Sequence, residues 1–260
     1  MNKNIKNSFR INVLGVGVSP LNMSSAVSEL IKARKSKQSG YVCITGAHGI
    51  IESQYNDELI NIHNKSMFTM PDGMPTVWMG LEQGFLDVGR VYGPDLMLNL
   101  IESSSNKGLT HFLYGSTEET LLLIKKNLRS RYPKVNIVGT FAPPFRELNT
   151  KEEMLLFEKV SDCKPDFFWI GLSTPKQECF MAKYINQCEF GIMIGVGAAF
   201  NIHAGLQKDA PNWVKNSGFQ WFYRLCQEPR RLWRRYLHIV PKFLYFSFLQ
   251  IFGLKKYTIK

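Results

Sequence analysis

The sequence predicts an α/β fold, a Rossmann-like and mostly parallel sheet flanked by helices, with a basic, aromatic, helical appendage at the C-terminus. Three observations carry that expectation. Apolar runs of about four to eight residues alternate with amphipathic segments of helical length through about residue 200. Strand-then-helix repetition is the mark of parallel sheets, because each crossover uses a helix to return the chain. Near residue 210 the strands stop, and aromatic and arginine residues take over. The expected division is therefore an α/β body over residues 1–210 and an appendage over 211–260.

Taken in order, residues 11–18 (INVLGVGV) are apolar almost throughout and read as a first strand after a short tail. The tail has basic residues but no apolar h-region or cleavage site, so no secretory signal is read from it. A helix over 24–37 leads to a strand over 41–45, and a helix over 50–61 leads to a strand over 67–70. That strand runs into Pro71-Asp72-Gly73, a turn signature, and then a short helical stretch containing Trp78. Helix 94–104, strand 111–114 and helix 118–131 follow, the last with Leu121, Leu122, Ile124 and Leu128 as its apolar stripe. Strand 135–140, helix 151–163 and strand 167–171 come next. Pro175 opens a further helix that Ser173 or Thr174 could cap, before a strand over 191–195. In such sheets ligands bind beyond the carboxyl ends of the strands, so those ends are where chemistry is sought.

A chain of 260 residues buries enough surface to need no staple. Its 45% hydrophobic and 20% charged content excludes a disordered or collagenous protein. The five cysteines are odd in number and lack C-x-x-C spacing, which argues against a disulfide framework or zinc knuckle and suits a reducing cytoplasm. Charge is more telling. The net +11 points to an anionic partner: nucleic acid, a phosphorylated substrate or an acidic membrane. Residues 221–260 hold five Arg and four Lys against the single acid Glu228, so +8 of the total lies there. The apolar stretch 243–254 falls short of the roughly 20 residues of a spanning helix. Arg mixed with Trp, Tyr and Phe suits a membrane surface; the alternative is a helical cap on the body with solvated arginines. A non-enzymatic nucleic-acid binder is a further reading, supported by the tail alone.

Candidate chemistry follows from the strand ends. Gly15-Val16-Gly17 begins like a dinucleotide fingerprint but has Pro20 where the third glycine belongs, and no P-loop is present. The histidines His48, His63, His111, His203 and His238 lack metal-ligand spacing and read as structural, with His48 singled out because it follows a strand end. No clear D-x-D is seen that would grip a nucleotide through Mg²⁺. Asp72 is either a turn former or a carboxylate placed at a strand end as a general base. Segments 45–49 (TGAHG), 171–178 (GLSTPKQE) and 195–200 (GVGAAF) end strands in the same manner, and Gly195 and Gly197 would let backbone approach a ligand closely.

Six motifs in order make the chain resemble the WecG/TagA/CpsF family of bacterial glycosyltransferases (glycosyltransferase family 26) over about residues 10–245: PDGMPTVW (71–78), RVYGPDL (90–96), GLSTPKQE (171–178), GVGAAFNIHAG (195–205), AP-x-W (210–213) and EPRRLWRRYL (228–237). The resemblance implies a Rossmann-like body with a helical appendage. It implies inverting transfer of a sugar from a UDP-sugar donor to a polyprenyl-diphosphate-linked acceptor at the inner face of the cytoplasmic membrane, with no metal or other cofactor. The sugar best known in the family is N-acetylmannosamine; other members serve capsule, exopolysaccharide or teichoic acid synthesis with other donors, UDP-glucose and UDP-N-acetylglucosamine being open here.

By the same resemblance Asp72 matches the catalytic base, Thr45 an active-site threonine and Arg90 an arginine facing the departing diphosphate. Gln177 matches a polar pocket residue, Asn201 falls at a position associated with the nucleotide-sugar, and Arg224, Arg231 and Arg234 match arginines over the acceptor diphosphate; His48, Gly195 and Gly197 join the substrate-binding candidates from their place at strand ends. Two departures stand out: Ala47 where many members have Asn, and Asn201 where many have Asp. The expected partners are the two substrates and the anionic membrane, with self-association through the apolar appendage also open and nucleic acid not expected.

Overall fold

The computed structural model describes residues 10–259; most of the N-terminal tail lies outside that range. In chain order the elements are β1 (Ile11–Val13), β2 (Val16–Val18), α1 (Met23–Lys35), β3 (Gly40–Thr45), α2 (Ala47–Ser53) and α3 (Asp57–Lys65). Then come β4 (Phe68–Pro71), α4 (Met74–Glu82), α5 (Gly93–Ser105), β5 (Thr110–Gly115), α6 (Glu118–Arg131) and β6 (Asn136–Phe141). The rest are α7 (Thr150–Cys163), β7 (Phe167–Gly171), α8 (Lys176–Tyr184), β8 (Ile192–Gly195), α9 (Ala199–His203), α10 (Asn212–Ser217), α11 (Gln220–Gln227) and α12 (Pro229–Ile251). Six strands form one sheet in the order β4-β3-β8-β7-β5-β6, with parallel pairing of β3 to β8, β8 to β7, β7 to β5 and β5 to β6. This is the expected α/β architecture.

Four local expectations need correction. Residues 11–18 are not one strand but a hairpin, β1 and β2, paired antiparallel outside the main sheet with Val13 opposite Val16. Leu14 and Gly15 have φ of 51° and 84°, and positive φ at both central residues is what a tight hairpin turn requires. The Asn12 side chain accepts the Gly15 N–H (2.8 Å) and supports the turn. The helix expected over 50–61 is two helices, because the Asn56 side chain accepts the Leu59 N–H (3.0 Å) and starts α3 afresh. Leu122 faces solvent, so Leu121, Ile124 and Leu128 alone form the buried stripe of α6. Neither Ser173 nor Thr174 caps α8; Pro175 sits at its N-cap and the Thr174 hydroxyl donates to Glu178 instead.

The chain resolves into two compact units. One holds residues 10–23, 44–92 and 209–259; the other holds 24–43 and 93–208. In the first, the hairpin side chains Ile11, Val13, Leu14, Val16 and Val18 pack with Ile50 and Ile51 of α2, Val77 and Met79 of α4, and Ile239 and Phe243 of α12. Helix α12 is thus part of this core, and each such buried side chain contributes about 1.5–3 kcal/mol of transfer free energy. The Gln250 side chain reinforces the seat, accepting Leu14 N–H (2.8 Å) and donating to Asn12 O (2.7 Å).

Away from the buried face of α12 (Leu232, Ile239, Phe243, Ser247), Trp233, Leu237, Leu244, Phe248 and Ile251 are exposed at spacings that share one stripe. Among the described residues no helix is long and apolar enough to cross a membrane.

The second unit is built on β5, β7 and β8, whose side chains Phe112, Phe168, Trp169 and Ile194 are fully buried. His111 is structural there: Trp169 Nε1 donates to its Nδ1 (3.0 Å) and Ser104 Oγ lies 2.9 Å from its Nε2. Burial pushes it down to about 4.

Candidate active site

In the first unit the carboxyl end of β3 is fitted against Asp72. The Asp72 N–H donates to Thr45 O (2.9 Å), so strand β4 leaves the sheet beside the end of β3. A Cβ at Gly46 would overlap the Asp72 carbonyl oxygen, and one at Gly49 would overlap Thr45 Oγ1. The glycines of the TGAHG segment are therefore there to let Thr45, α2 and Asp72 come together. Gly73, with φ of 95°, then swings the chain into α4.

Asp72 makes no cap hydrogen bond to α4, whose N-cap is Gly73. Its carboxylate turns to Arg90, whose Nη2 and Nε lie 3.2 Å and 3.4 Å from Oδ1. Arg90 is nearly buried and fully engaged. Its Nη1 donates to Lys215 O (2.7 Å), its Nη2 also donates to Gln220 Oε1, and its guanidinium carbon lies 4.5 Å from the centre of the Tyr92 ring. The C-terminal segment thereby braces the arginine that holds the strand-end carboxylate. Behind Arg90, the Tyr92 hydroxyl donates to Asp209 Oδ1 (2.9 Å) and Lys215 Nζ pairs with Asp209 Oδ2 (2.6 Å). Burial and the Asp209 charge hold the Tyr92 phenol well above its usual range.

His48, in the first turn of α2, is pushed down to about 4, first by burial and then by the charges of Arg235 and Arg224. It is neutral at physiological pH. Glu52 Oε1, 3.6 Å from its Nε2, is too far for a hydrogen bond. Arg224 Nε is buried without a hydrogen-bond partner. The Tyr236 phenol, raised by burial, feels Arg224, Arg235, Arg231 and Asp72 together, so these charges share one neighbourhood. Arg231 pairs with Glu228, while Arg234 stacks over Trp233 at 5.3 Å. Of the three arginines singled out in the sequence, Arg224 is the one with an unmet buried donor.

The other predicted positions lie in the second unit. Gln177 is buried, with Oε1 accepting the Gly197 N–H (3.1 Å) and Nε2 donating to Glu178 Oε1 (3.0 Å). Gly195 makes room for it: a Cβ there would stand 2.9 Å from Gln177 Cδ. Asn201, in α9, is exposed.

The structure therefore gathers Thr45, His48, Asp72, Arg90 and Arg224 in one unit and Gln177, Gly195 and Gly197 in the other. Sequence reading missed Tyr92, Asp209, Lys215, Gln220, Arg235, Tyr236 and Glu178. Tyr92 and Glu178 stood inside quoted motifs, and Arg235 and Tyr236 inside RRLWRRYL; Gln220 had no signal. Among the described residues no three His, Cys, Asp or Glu are grouped to hold a metal ion.

Comparison with known proteins shows what the chain as a whole is similar to. The N-acetylglucosaminyldiphosphoundecaprenol N-acetyl-beta-D-mannosaminyltransferase of Bacillus subtilis (strain 168) is 27% identical over 223 residues, covering 85% of this chain and 84% of that protein. The protein of the same name from Staphylococcus aureus (strain MW2) is 24% identical over 241 residues, covering 92% of each chain. The pattern of the glycosyl transferase WecG/TagA/CpsF family matches residues 11–257, nearly the whole length that carries the Asp72–Arg90 pair and the Gln177–Gly197 contact, and the chain belongs to that family of glycosyltransferases.

Proposed function

We propose that the protein transfers N-acetylmannosamine, with inversion, from a UDP-sugar to a polyprenyl-diphosphate-linked N-acetylglucosamine in cell-surface polysaccharide or teichoic acid synthesis. The observation that carries the proposal is the state of Asp72: Arg90 engages Oδ1 only, and Oδ2 makes no hydrogen bond among the described residues. A carboxylate fixed by one oxygen and open at the other suits a general base. The acceptor hydroxyl attacks the anomeric carbon as its proton passes to Asp72. The new glycosidic bond forms on the face opposite the departing diphosphate, whose bond to the sugar breaks with the electron pair going to UDP.

Thr45, at the same strand end, orients the reacting hydroxyl. Arg90, held from four sides, offsets charge on the leaving diphosphate without moving to do so. Arg224, with its buried unmet Nε and with Arg235 and neutral His48 beside it, meets a diphosphate. Arg231 and Arg234 add charge around it. Gln177, Gly195, Gly197 and Asn201, around the carboxyl end of β8, serve the donor nucleotide. The chemistry uses fixed cationic side chains and is metal-independent.

Docking of the protein on the anionic inner face of the cytoplasmic membrane, where such an acceptor resides, is supported by the apolar stripe of α12 together with the arginines at its start.

The deciding experiment presents a panel of UDP-sugars to synthetic polyprenyl-diphosphate-linked acceptors and determines the product linkage by NMR. Transfer of N-acetylmannosamine with inverted anomeric configuration is expected. Turnover of UDP-glucose or UDP-N-acetylglucosamine alone would replace the donor, and no turnover of any UDP-sugar would remove the proposal.

A further inference from the structure

Glu178 alone among the acids of the described residues is buried, and the proposed chemistry gives it no part. Two donors converge on one of its oxygens: Thr174 Oγ1 and Gln177 Nε2, each 3.0 Å from Oε1. Its other oxygen, Oε2, is buried without a hydrogen-bond partner. Among the described residues no cation pairs with it, and an isolated buried carboxylate is costly, so burial pushes its titration up. Oε1 is the acceptor that both donors use.

The consequence runs through Gln177. Its amide has one end facing an acceptor, Glu178 Oε1, and the other facing a donor, the Gly197 N–H. Flipped, the amide would set oxygen against oxygen and N–H against N–H. Glu178 thus dictates which way Gln177 points. Gln177 in turn lies over Gly195 and holds Gly197, whose φ of 53° turns the chain at the carboxyl end of β8. The Val196 N–H (2.9 Å) and Gly197 N–H (3.3 Å) both also point to Ile170 O at the end of β7. The two motifs GLSTPKQE and GVGAAF are one mechanical unit, with Glu178 at its base.

We propose that Glu178 is a positioning residue for donor binding: it sets the Gln177 amide, and through it the backbone turn at residues 195–197 that receives the UDP-sugar. This rests on the reading of the protein as a UDP-sugar transferase. Glycine-lined turns after parallel strands let backbone approach a nucleotide diphosphate closely, and a turn held in one conformation binds without an ordering cost. Glu178 reaches the ligand only through Gln177, so its loss should appear in donor affinity and not in the chemical step.

The test uses full-length Glu178→Gln, Glu178→Leu and Glu178→Asp, with UDP binding by calorimetry and steady-state kinetics at saturating acceptor. Glutamine keeps an acceptor where Oε1 stands at the same side-chain length, so its KM for the UDP-sugar should stay within about threefold of wild type. Leucine and aspartate, which cannot reach the Gln177 amide, should raise that KM by about tenfold or more while kcat changes by less than about threefold, with UDP binding weakened in parallel. Aspartate keeps the test open if the leucine variant fails to fold.

Wild-type KM in the leucine or aspartate variant, a loss in kcat with KM unchanged, or a glutamine variant as impaired as the other two would each overturn the proposal alone. Failure of the wild-type protein to bind UDP would overturn the transferase reading and the proposal with it.

Discussion

Arg90 holds Asp72 by one oxygen: Nη2 and Nε approach Oδ1 at 3.2 Å and 3.4 Å, and Oδ2 has no hydrogen bond among the described residues. The pair can therefore be tested by a substitution that keeps its shape. In Asp72→Asn the amide oxygen still accepts from Arg90, but no group remains to take a proton. We expect kcat to fall by about 10²–10⁴-fold, the usual worth of a general base, with UDP affinity and melting temperature close to wild type. Rapid-quench assays and calorimetry check it, and near wild-type turnover would remove Asp72 from the base role.

Arg90 is also braced from the C-terminal side by Gln220 and by Lys215 O. Gln220→Ala removes one brace and leaves the Asp72 contact in place. A hydrogen bond to a charged group is worth about 1.5–3 kcal/mol when lost, so kcat should drop by roughly tenfold or somewhat more. The measurement belongs on a water-soluble, short-chain acceptor with no vesicles present. A defect seen only with vesicles would mean that Gln220 serves docking and not Arg90.

These contacts explain what could be read from the sequence and what could not. Asp72 and Thr45 were legible because a parallel sheet presents its strand ends, and a turn signature marks where one ends. The 118–131 helix was legible from its own periodicity. The hairpin was not: a run of apolar residues looks the same as one strand or two, and the turn rests on Leu14 taking a positive φ that leucine rarely adopts. Arg235 was hidden because RRLWRR offers four arginines, and only packing of Leu232 and Ile239 decides which face Arg224 and His48. The Arg90–Gln220 and Gln177–Gly197 contacts join residues 130 and 20 positions apart, and no local pattern encodes such pairings.

Gly46 and Gly49 carry no chemistry, yet both sit where a methyl group would collide, the first with Asp72 O and the second with Thr45 Oγ1. Gly49→Ala should cost about 1–3 kcal/mol by overpacking and shift Thr45 away from the strand end. Activity should fall further than the loss of folded protein accounts for. Urea denaturation paired with activity per folded molecule separates the two effects; equal losses in both would mean Thr45 has no part in turnover.

His48, His63 and His111 are each pushed down to about 4, in every case mainly by burial. A histidine neutral in the fold and titrating near 6.5 when unfolded binds its proton first in the unfolded chain. The stability each contributes is fully present above 6.5 and is lost as pH falls towards 4. Inside that window the slope is about 1.4 kcal/mol per pH unit for each histidine, or about 2 kcal/mol per histidine between pH 8 and pH 5. His48→Gln should match wild type in urea at pH 8 and exceed it by about that amount at pH 5. Parallel curves for the two proteins would show that His48 takes up its proton as readily in the fold as in the unfolded chain.

The stripe on α12 can be tested without disturbing the core, since Leu237, Leu244 and Phe248 are 67%, 64% and 49% exposed while Ile239 and Phe243 carry the packing. Deleting the helix would remove those core residues and confuse unfolding with release, so substitution is the better probe. Leu237→Ser, Leu244→Ser and Phe248→Ser together forfeit roughly 1 kcal/mol each of apolar transfer, which predicts about 10²-fold weaker binding to phosphatidylglycerol vesicles. Turnover of soluble acceptors should be unchanged, and turnover of acceptors embedded in vesicles should fall. If vesicle binding survives but a dimer of the wild-type chain becomes monomeric, the stripe is a subunit interface and the arginines alone hold the membrane; the salt dependence of binding would then be steep, because unassisted charges are screened within about 8 Å at physiological ionic strength.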